Sequence, residues 1–269
     1  MRPLFVNGRA QTTIDALDRG LQYGDGLFET IAVTGNRPRF LEWHLERLAS
    51  GARRLGFPAL DLVRLRTEIA SAITMPDVVV KLILTRGSGP RGYRPPGDAK
   101  PTRIVAAFDW PVSPPTAASE GIRVGWCNTR LGRNPALAGL KHLNRLEQVL
   151  ARAEWEDGAM DEGLMQDDRG RVIAGTQSNL FARLADRWVT PILDECGVAG
   201  VMRRAFRHWA ADRGETIAER AVATDELADA TSLILTNSLI GAWPVRELAG
   251  RKLAVDPVTW EFNAWLARE

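Results

Sequence analysis

The sequence predicts a two-domain protein of the α+β (mixed α/β) class. Its 269 residues are enough for two domains of moderate size, each with its own hydrophobic core. Helical and strand-like patterns of apolar residues are interspersed along the chain without a strict strand–helix–strand repeat. Residues 111–120 are rich in proline and small side chains, which is typical of a linker. We therefore predict an N-terminal α/β domain over 1–110 and a C-terminal domain over 121–269.

The N-terminal domain is predicted to begin with β-structure. Residues 4–6 are apolar and precede Asn7-Gly8, a dipeptide typical of two-residue hairpin turns. A further strand is expected over 28–33, followed by a short strand over 38–40. The first forty residues therefore read as strands and turns.

The rest of the N-terminal domain is predicted to contain two helices and two strands. Apolar side chains recur at three- and four-residue spacing from Leu41 to Leu55, which predicts an amphipathic helix. The predicted elements are helices over 41–56 and 60–73 and strands over 78–85 and 104–108. Residues 87–101, rich in glycine, proline and arginine, form a long loop, and long ordered loops often carry function.

The C-terminal domain is predicted to mix strands with two helices, without internal repeats. Its expected elements are a strand over 122–127, a helix over 141–157, a strand-rich stretch over 163–190 with a turn at 168–170, a helix beginning near Gly200, and strands over 217–220 and 233–236.

Composition excludes several classes of protein. The 35 basic and 33 acidic residues leave a net charge of +2, so the sequence does not suggest a nucleic-acid or membrane-surface protein. Cys127 and Cys196 lack metal-ligand spacing and do not form a disulfide pattern. The N-terminus has no signal-peptide core, and no apolar run reaches the ~18 residues of a membrane span. We expect a cytoplasmic protein without a metal site.

Amine nucleophiles are few, since the chain has only four lysines: Lys81, Lys100, Lys141 and Lys252. Lys81 lies within an apolar run, where a single charge is expected at a strand end or on a wet face. Lys100 and Lys252 are expected in solvent. Lys141 follows an apolar Gly-Leu pair at the start of the predicted helix. Desolvation there would favour the free amine that Schiff-base formation needs, although position alone favours a structural lysine.

Two segments could bind an anion. Residues 197–203 form a glycine-bracketed turn into a helix, whose free amide groups would suit a phosphate. Position alone favours an ordinary helix start there. Thr236-Asn237-Ser238 ends an apolar strand and also resembles an ordinary turn. The three histidines show no HExxH pattern and no GxSxG serine is present, so metal-dependent and serine hydrolysis are poorly supported.

Several motifs together resemble a known family. They are DRGLQYGDGLFET (18–30), HLERL (44–48), the lysine segment, GTQSNLF (175–181), GVAGVMR (197–203) and TNSLIGAWPV (236–245). This pattern resembles the fold-type IV pyridoxal-phosphate enzymes, the class IV aminotransferase family, over nearly the whole chain. Two further stretches, TRGSGPRGY (85–93) and residues 131–154, resemble the lyase branch of that family, which eliminates pyruvate from a substrate with two carboxylates.

The resemblance implies pyridoxal 5′-phosphate as cofactor and Lys141 as the lysine that forms a Schiff base with it, in the C-terminal domain. It assigns cofactor-binding roles to Lys141, Arg47, Asn144, Val201, Met202, Asn237 and Ser238. Arg47, the backbone amides of Val201 and Met202, and the side chains of Asn237 and Ser238 would hold the phosphate. Asn144, three residues after the lysine, is expected on the same helical face, near the cofactor ring.

The resemblance also implies the remaining roles. Lys141 would act as general base, and Thr30, expected at a strand end, would protonate the leaving group. Arg91 and Tyr93 in the 85–93 loop would bind a small anionic substrate. The family further implies a homodimer.

One residue departs from the family pattern. Most members have a glutamate before the Gly-Thr of GTQSNLF, where its carboxylate binds the pyridine nitrogen, and here that position is Ala174. A neutral pyridine is a poorer electron sink. The weaker electron sink disfavours amino transfer more than a lyase reaction, because aromatisation of the product drives the lyase reaction. An aminotransferase for D- or branched-chain amino acids remains one alternative. A catalytically degraded member remains the other, unless Thr176 or water takes the place of the missing carboxylate.

Overall fold

The computed structural model describes residues 3–114 and 116–269 and confirms the α+β class. The chain forms two compact units. The first ends at Pro111 and also includes Leu140–Asn144; the second contains Val112–Gly139 and Arg145–Glu269. The unit boundary thus falls at the start of the predicted linker 111–120, of which Pro115 lies outside the described residues. Lys141, expected in the C-terminal domain, is grouped with the first unit because its segment pairs with a strand of that unit.

The first unit contains a six-stranded antiparallel sheet in the order β2-β1-β6-β5-β3-β4. Its strands are β1 (Leu4–Val6), β2 (Arg9–Ala10), β3 (Gly26–Thr34), β4 (Arg37–Pro38), β5 (Val78–Thr85) and β6 (Thr102–Phe108). The predicted β1–β2 hairpin is confirmed. Its turn residues Asn7 and Gly8 have φ angles of 52° and 79°, as a two-residue hairpin turn requires.

Three helices belong to the same unit: α1 (Arg19–Tyr23), α2 (Leu41–Arg54) and α3 (Leu62–Ala72). The last two confirm the predicted helices. The prediction of β-structure throughout the first forty residues was wrong at α1, since one turn of helix is too short to show a helical period. The carboxylate of Asp18 caps α1 by accepting from the Gly20 amide at 2.8 Å, and Gly24 ends the helix with a φ of 64°.

The two faces of β3 have different surroundings. Leu27, Glu29 and Ile31 are buried on the face that α2 covers, whereas Phe28 and Thr30 are half-buried on the opposite face. Thr30 lies in the middle of β3, so its expected place at a strand end was wrong. The side chains of Phe28 and Thr30 are therefore partly open to solvent.

The second unit contains a larger mixed sheet with the order β12-β11-β10-β13-β14-β7-β8-β9, and β15 also pairs with β14. Its strands are β7 (Ile122–Leu131), β8 (Glu162–Asp167), β9 (Val172–Gly175), β10 (Asn179–Leu184), β11 (Arg187–Pro191), β12 (Ile217–Arg220), β13 (Ser232–Asn237), β14 (Gly241–Leu248) and β15 (Arg251–Lys252). Its helices are α4 (Ala117–Glu120), α5 (Leu146–Arg152), α6 (Val201–Asp212) and α7 (Val258–Leu266). Among the described residues, no helix combines the length and apolar character needed to span a membrane.

The predicted helix over 141–157 was too long at both ends. Helix α5 begins only at Leu146, and the segment before it is not helical. His142 forms a β-bridge with Leu27, and the Leu143 amide donates to the carbonyl of Gly26 at 3.0 Å. Backbone groups that pair with β3 cannot also make helical hydrogen bonds, so this long-range pairing overrides the local helical pattern.

Candidate active site

Lys141 is held against the half-buried face of β3. The Phe28 amide donates a hydrogen bond to the carbonyl oxygen of Lys141 at 2.9 Å, which places this residue beside the strand. Its Nζ atom lies 4.2 Å from the centroid of the Phe28 ring. An ammonium at this distance over an aromatic face is stabilised by the ring quadrupole. The contact fixes where the amine of Lys141 is presented.

A second lysine approaches the same ring. The Nζ atom of Lys81 lies 5.5 Å from the Phe28 centroid. Lys81 is in the middle of β5 and half-buried, and within the described residues no carboxylate forms an ion pair with it. The sequence predicts this lysine as a charge at a strand end or on a solvent-exposed face and does not indicate it as a site residue. The alternation along β5 could have assigned its face, but not its approach to Phe28.

Thr30 completes this group. It pairs directly with Lys81 across β3 and β5, so both side chains lie on the same face of the sheet. Phe28, two residues earlier in β3, shares that face. We call Phe28, Thr30, Lys81 and Lys141 the Phe28 cluster. It combines two amines, a hydroxyl and an aromatic ring on one surface of the first unit.

The opposite face of β3 carries a buried ionic network. The carboxylate of Glu29 accepts from Nε of Arg47 at 2.8 Å, and Arg47 Nη2 bonds to its other oxygen. Nδ1 of His44 lies 2.6 Å from Oε2 of Glu29. His44 and Arg47 both project from α2, three residues apart and therefore on one side of the helix. Arg47, the predicted phosphate ligand, is thus locked in place by a fully buried carboxylate.

Charge sets the protonation of this network. Burial alone would raise the pKa of Glu29, but the charge of Arg47 and hydrogen bonds from His44 and Arg47 bring it down to about 2. Burial lowers the pKa of His44 against the opposing effect of Glu29, and the charges of Arg47 and Lys141 act in the same direction as burial. Lys141 is therefore electrostatically coupled to the Arg47 network.

Asn144 does not lie on a helical face with Lys141, and that part of the prediction was wrong. It belongs to the non-helical segment before α5, and its Nδ2 donates to the carbonyl of Gly24 at 3.2 Å. A Cβ atom at Gly24 would lie 2.4 Å from Oδ1 of Asn144, so glycine is needed for this close approach. Asn144 ties the lysine segment to the end of α1.

Arg91 and Tyr93 lie in the long loop between β5 and β6. Both side chains are exposed, Tyr93 to 85%. The edge of the Tyr93 ring packs on Tyr23, with centroids 5.5 Å apart. The guanidinium of Arg91 makes no ion pair with any described residue, which leaves it available to an anionic ligand.

In the second unit, the start of α6 has the features of an anion site. Val201 and Met202 are its first two residues, and no side chain caps the helix. Their amides therefore point out of the helix end without an intrahelical partner. A Cβ atom at Gly200, the preceding residue, would lie 2.0 Å from Oδ1 of Asn179, so a side chain at this position would displace the Asn179 amide. The helix packs against β13.

Asn237 and Ser238 stand at the end of β13, in the same unit. The Oδ1 atom of Asn237 accepts from the amides of Leu239 and Ile240 at 2.9 and 3.0 Å, so it shapes the turn. Its amide nitrogen and the Ser238 hydroxyl remain the groups that could bind a ligand. Thr236, one residue earlier, has a buried hydroxyl with no hydrogen-bond partner in the described part of the chain.

Ala174 is a buried residue of β9 and provides no carboxylate. The nearby carboxylate of Glu162 is occupied, because it accepts from the hydroxyls of Thr176 and Ser178 and from the Thr176 amide. The Thr176 hydroxyl proton, considered above as a replacement partner for the ring nitrogen, is therefore donated to Glu162.

Each unit carries groups that suit a phosphate-bearing aldehyde cofactor. In the second unit, the α6 amides and the Thr236 hydroxyl, which have no partner among the described residues, are donors suited to phosphate oxygens. In the first unit, the guanidinium of Arg47 is a donor of the same kind. Lys141 supplies the amine that an aldehyde requires. Over residues 3–114 and 116–269, no group of three or more His, Cys, Asp or Glu side chains could hold a metal ion.

Comparison with known proteins supports the same chemistry. The amino-transferase class IV family model matches residues 26–248. The aminodeoxychorismate lyase of Vibrio harveyi is 34% identical over 254 residues, covering 94% of this chain and 93% of that protein. The crystal structure of 4-amino-4-deoxychorismate lyase from Pseudomonas aeruginosa matches with a TM-score of 0.95 and 47% identity, covering 99% of this chain and 98% of that one. The D-alanine aminotransferase of Bacillus licheniformis is 26% identical over 262 residues, covering 94% of this chain and 90% of that protein.

Proposed function

The chain belongs to the class IV aminotransferase family, and from this premise we propose that it is a 4-amino-4-deoxychorismate lyase dependent on pyridoxal 5′-phosphate. The reaction converts 4-amino-4-deoxychorismate into 4-aminobenzoate and pyruvate, for folate synthesis. Two lyases, at 34% and 47% identity, match almost the whole chain and support this choice within the family. The Phe28 cluster is the observation that carries the chemistry.

The family resemblance names the residues that would hold the cofactor. Lys141 would bind it covalently through its amine, and Arg47, the Val201 and Met202 amides, Asn237 and Ser238 would bind its phosphate. Asn144 keeps the lysine segment in place through its bond to Gly24. When bound, pyridoxal phosphate withdraws electrons from the bonds at the amine-bearing carbon of the substrate.

Two residues of the Phe28 cluster would move protons. Lys141 would act as general base and remove the proton from the amine-bearing carbon of the substrate through its neutral amine. The neighbouring carbon–oxygen bond then breaks, and the ring becomes aromatic. Thr30, on the same face of the sheet, would give a proton to the departing oxygen and regain one from the protonated Lys141, and the released enol becomes pyruvate.

Substrate carboxylates would be bound by cations that form no ion pair with a carboxylate in the described part of the chain. The Lys81 ammonium shares the Phe28 face with Lys141, and a half-buried cation without a counter-ion is a suitable anion ligand. The Arg91 guanidinium can bind a carboxylate in a bidentate manner, and the Tyr93 hydroxyl can donate to it. This arrangement matches a substrate that carries two negative charges.

The test is to supply the purified protein with pyridoxal 5′-phosphate and 4-amino-4-deoxychorismate. We expect 4-aminobenzoate and pyruvate to appear in equal amounts. The same preparation is then given D- or branched-chain amino acids with a 2-oxo acid. Amino transfer without formation of 4-aminobenzoate would establish the aminotransferase alternative. Cofactor binding without either reaction would establish a degraded member, for which Ala174 is the only argument.

We also propose a cytoplasmic homodimer. Both cysteines, Cys127 and Cys196, are buried free thiols, which suits a reducing compartment. On α5, Leu146, Val149 and Leu150 are each more than half exposed at the three- and four-residue spacing of one helix face. A second copy covering this face would remove its apolar surface from water. Sedimentation of wild type and L150K tests this: a wild-type monomer, or an unchanged L150K dimer, would contradict it.

A further inference from the structure

Arg19 makes three hydrogen bonds although it is only 2% exposed. Its Nε donates to Oδ2 of Asp25 at 2.9 Å. Its two terminal nitrogens donate to consecutive carbonyls of the long loop, Nη1 to Gly92 at 2.8 Å and Nη2 to Tyr93 at 2.9 Å. The planar guanidinium thus joins α1 to the loop segment that carries the exposed Arg91 and Tyr93.

The orientation of Arg19 is set by its counter-ion. Asp25 also accepts from Nε of Arg86 at 2.9 Å, and Arg86 donates in turn to the carbonyls of Leu55 and Gly56. Burial would raise the pKa of Asp25, but hydrogen bonds and charge from Arg86 and Arg19 lower it, so the carboxylate stays ionised. Two buried guanidinium groups therefore clamp one carboxylate, and neither arginine can rotate freely.

The loop backbone is held at the same point by α1. The Gly92 amide donates to the hydroxyl of Tyr23 at 3.2 Å, and Gly92 has a φ of 110°, which only glycine adopts readily. Tyr23 also packs on the Tyr93 ring. The backbone at 92–93 is consequently fixed, while the Arg91 and Tyr93 side chains remain exposed.

We propose that Arg19, oriented by Asp25 and Arg86, is a positioning residue for the substrate loop. It preorganises the 92–93 backbone so that Arg91 and Tyr93 meet a carboxylate-bearing substrate without an ordering cost. This inference rests on the proposed function, because it takes the loop to be the substrate-binding segment. Arg19 itself touches no substrate. A lysine in its place could not bridge two carbonyls and a carboxylate in one plane.

Trypsin offers a direct readout of loop order. Within 87–101, Arg94 and Lys100 precede prolines, so trypsin can cut this segment only between Arg91 and Gly92. That bond adjoins the two anchored carbonyls. In R19M we expect cleavage there to accelerate about tenfold or more, as the loss of charge-assisted hydrogen bonds implies. The control is R103M, which removes the partner of Glu68 in the same unit without touching the loop.

The kinetic arm uses the holoenzyme and 4-amino-4-deoxychorismate. We expect R19M to raise KM about tenfold with kcat within about twofold, and to leave the visible absorbance of the bound cofactor unchanged. If R19M fails to fold, R19K is used instead. Lysine keeps the charge but lacks the planar guanidinium with its several N–H donors, so R19K is expected to show the same changes. Faster cleavage with an unchanged KM would overturn the positioning role.

The trypsin experiment does not depend on the proposed lyase activity. If R19M and R19K are cut between Arg91 and Gly92 no faster than R103M, the inference is wrong whatever the enzyme catalyses. If wild type forms no 4-aminobenzoate, the proposed function fails, and the comparison of cleavage rates still decides whether Arg19 orders the loop.

Discussion

The Nζ atom of Lys141 lies 4.2 Å from the centroid of the Phe28 ring, and the Phe28 amide is bonded to the carbonyl of the same lysine. These two contacts join segments that are far apart in the sequence. They hold both the backbone and the amine of Lys141 against one strand. The amine that the proposed chemistry requires is therefore placed by β3.

Replacing Lys141 with alanine is expected to abolish both the visible absorbance of bound pyridoxal 5′-phosphate and the formation of 4-aminobenzoate. Alanine cannot bind the cofactor covalently and cannot remove the substrate proton. The matched control is K252A, which changes an exposed lysine of β15 and should behave as wild type. Survival of either signal in K141A would remove Lys141 from its proposed role.

Replacing Lys81 with methionine is expected to raise KM for 4-amino-4-deoxychorismate by about tenfold or more, the usual effect of losing a charge-assisted hydrogen bond. Methionine keeps the apolar length of the side chain beside Phe28 and removes the charge. Steady-state kinetics and cofactor titration together measure this. An unchanged KM, or an equal loss of cofactor affinity, would show that Lys81 does not bind the substrate.

Replacing Arg47 with methionine is expected to weaken the binding of pyridoxal 5′-phosphate about tenfold or more, and to leave the binding of pyridoxal unchanged. The two ligands differ only in the phosphate, so the ratio of their dissociation constants isolates the role of Arg47. R66M, which disrupts an exposed ion pair with Glu42, serves as control. Equal weakening of both ligands would indicate a general loss of structure.

The Glu29 network predicts a specific acid sensitivity. The pKa of Glu29 falls from an ordinary 4.5 to about 2 on folding, so the unfolded chain binds more protons in this range. Its contribution to stability is complete above pH 4.5 and is lost as the pH falls towards 2. His44 acts in the same sense from a higher pH, since burial lowers its pKa below the ordinary 6.5.

The measurement is the thermal unfolding midpoint of wild type and E29Q across this pH range. E29Q is expected to be less stable at neutral pH, because Arg47 loses its buried partner, and the difference should shrink as the pH falls below 4.5. E42Q, at the exposed pair with Arg66, should change the curve little. A constant difference between wild type and E29Q from pH 7 to acid would contradict the assignment.

The elements that were predicted correctly are those whose signals are local. The apolar spacing from Leu41 to Leu55 matches α2, and Asn7-Gly8 matches the first hairpin turn. The family was recognisable from short motifs, and the small number of lysines made Lys141 easy to single out. All of these signals lie within a few residues of the feature that they predict.

The errors concern positions where distant segments meet. Residues 141–144 lie in the predicted helix but are not helical, because backbone groups of this segment pair with β3. That pairing also moves Asn144 from the expected helical face to Gly24. The sequence predicts Lys81 as a charge at a strand end or on a solvent-exposed face. Nothing near it in the chain shows that Lys81 and Lys141 both approach the Phe28 ring.

The sequence by itself determined the α+β class, the family and the amine most suited to a Schiff base. The tertiary structure alone decided that Lys81 and Thr30 share the face of Phe28 with that amine, and that Arg19 anchors the loop carrying Arg91 and Tyr93. The reason is physical. Periodicity and turn residues act over a few positions, whereas the partner of a charge depends on the register between strands and loops that are remote in the chain.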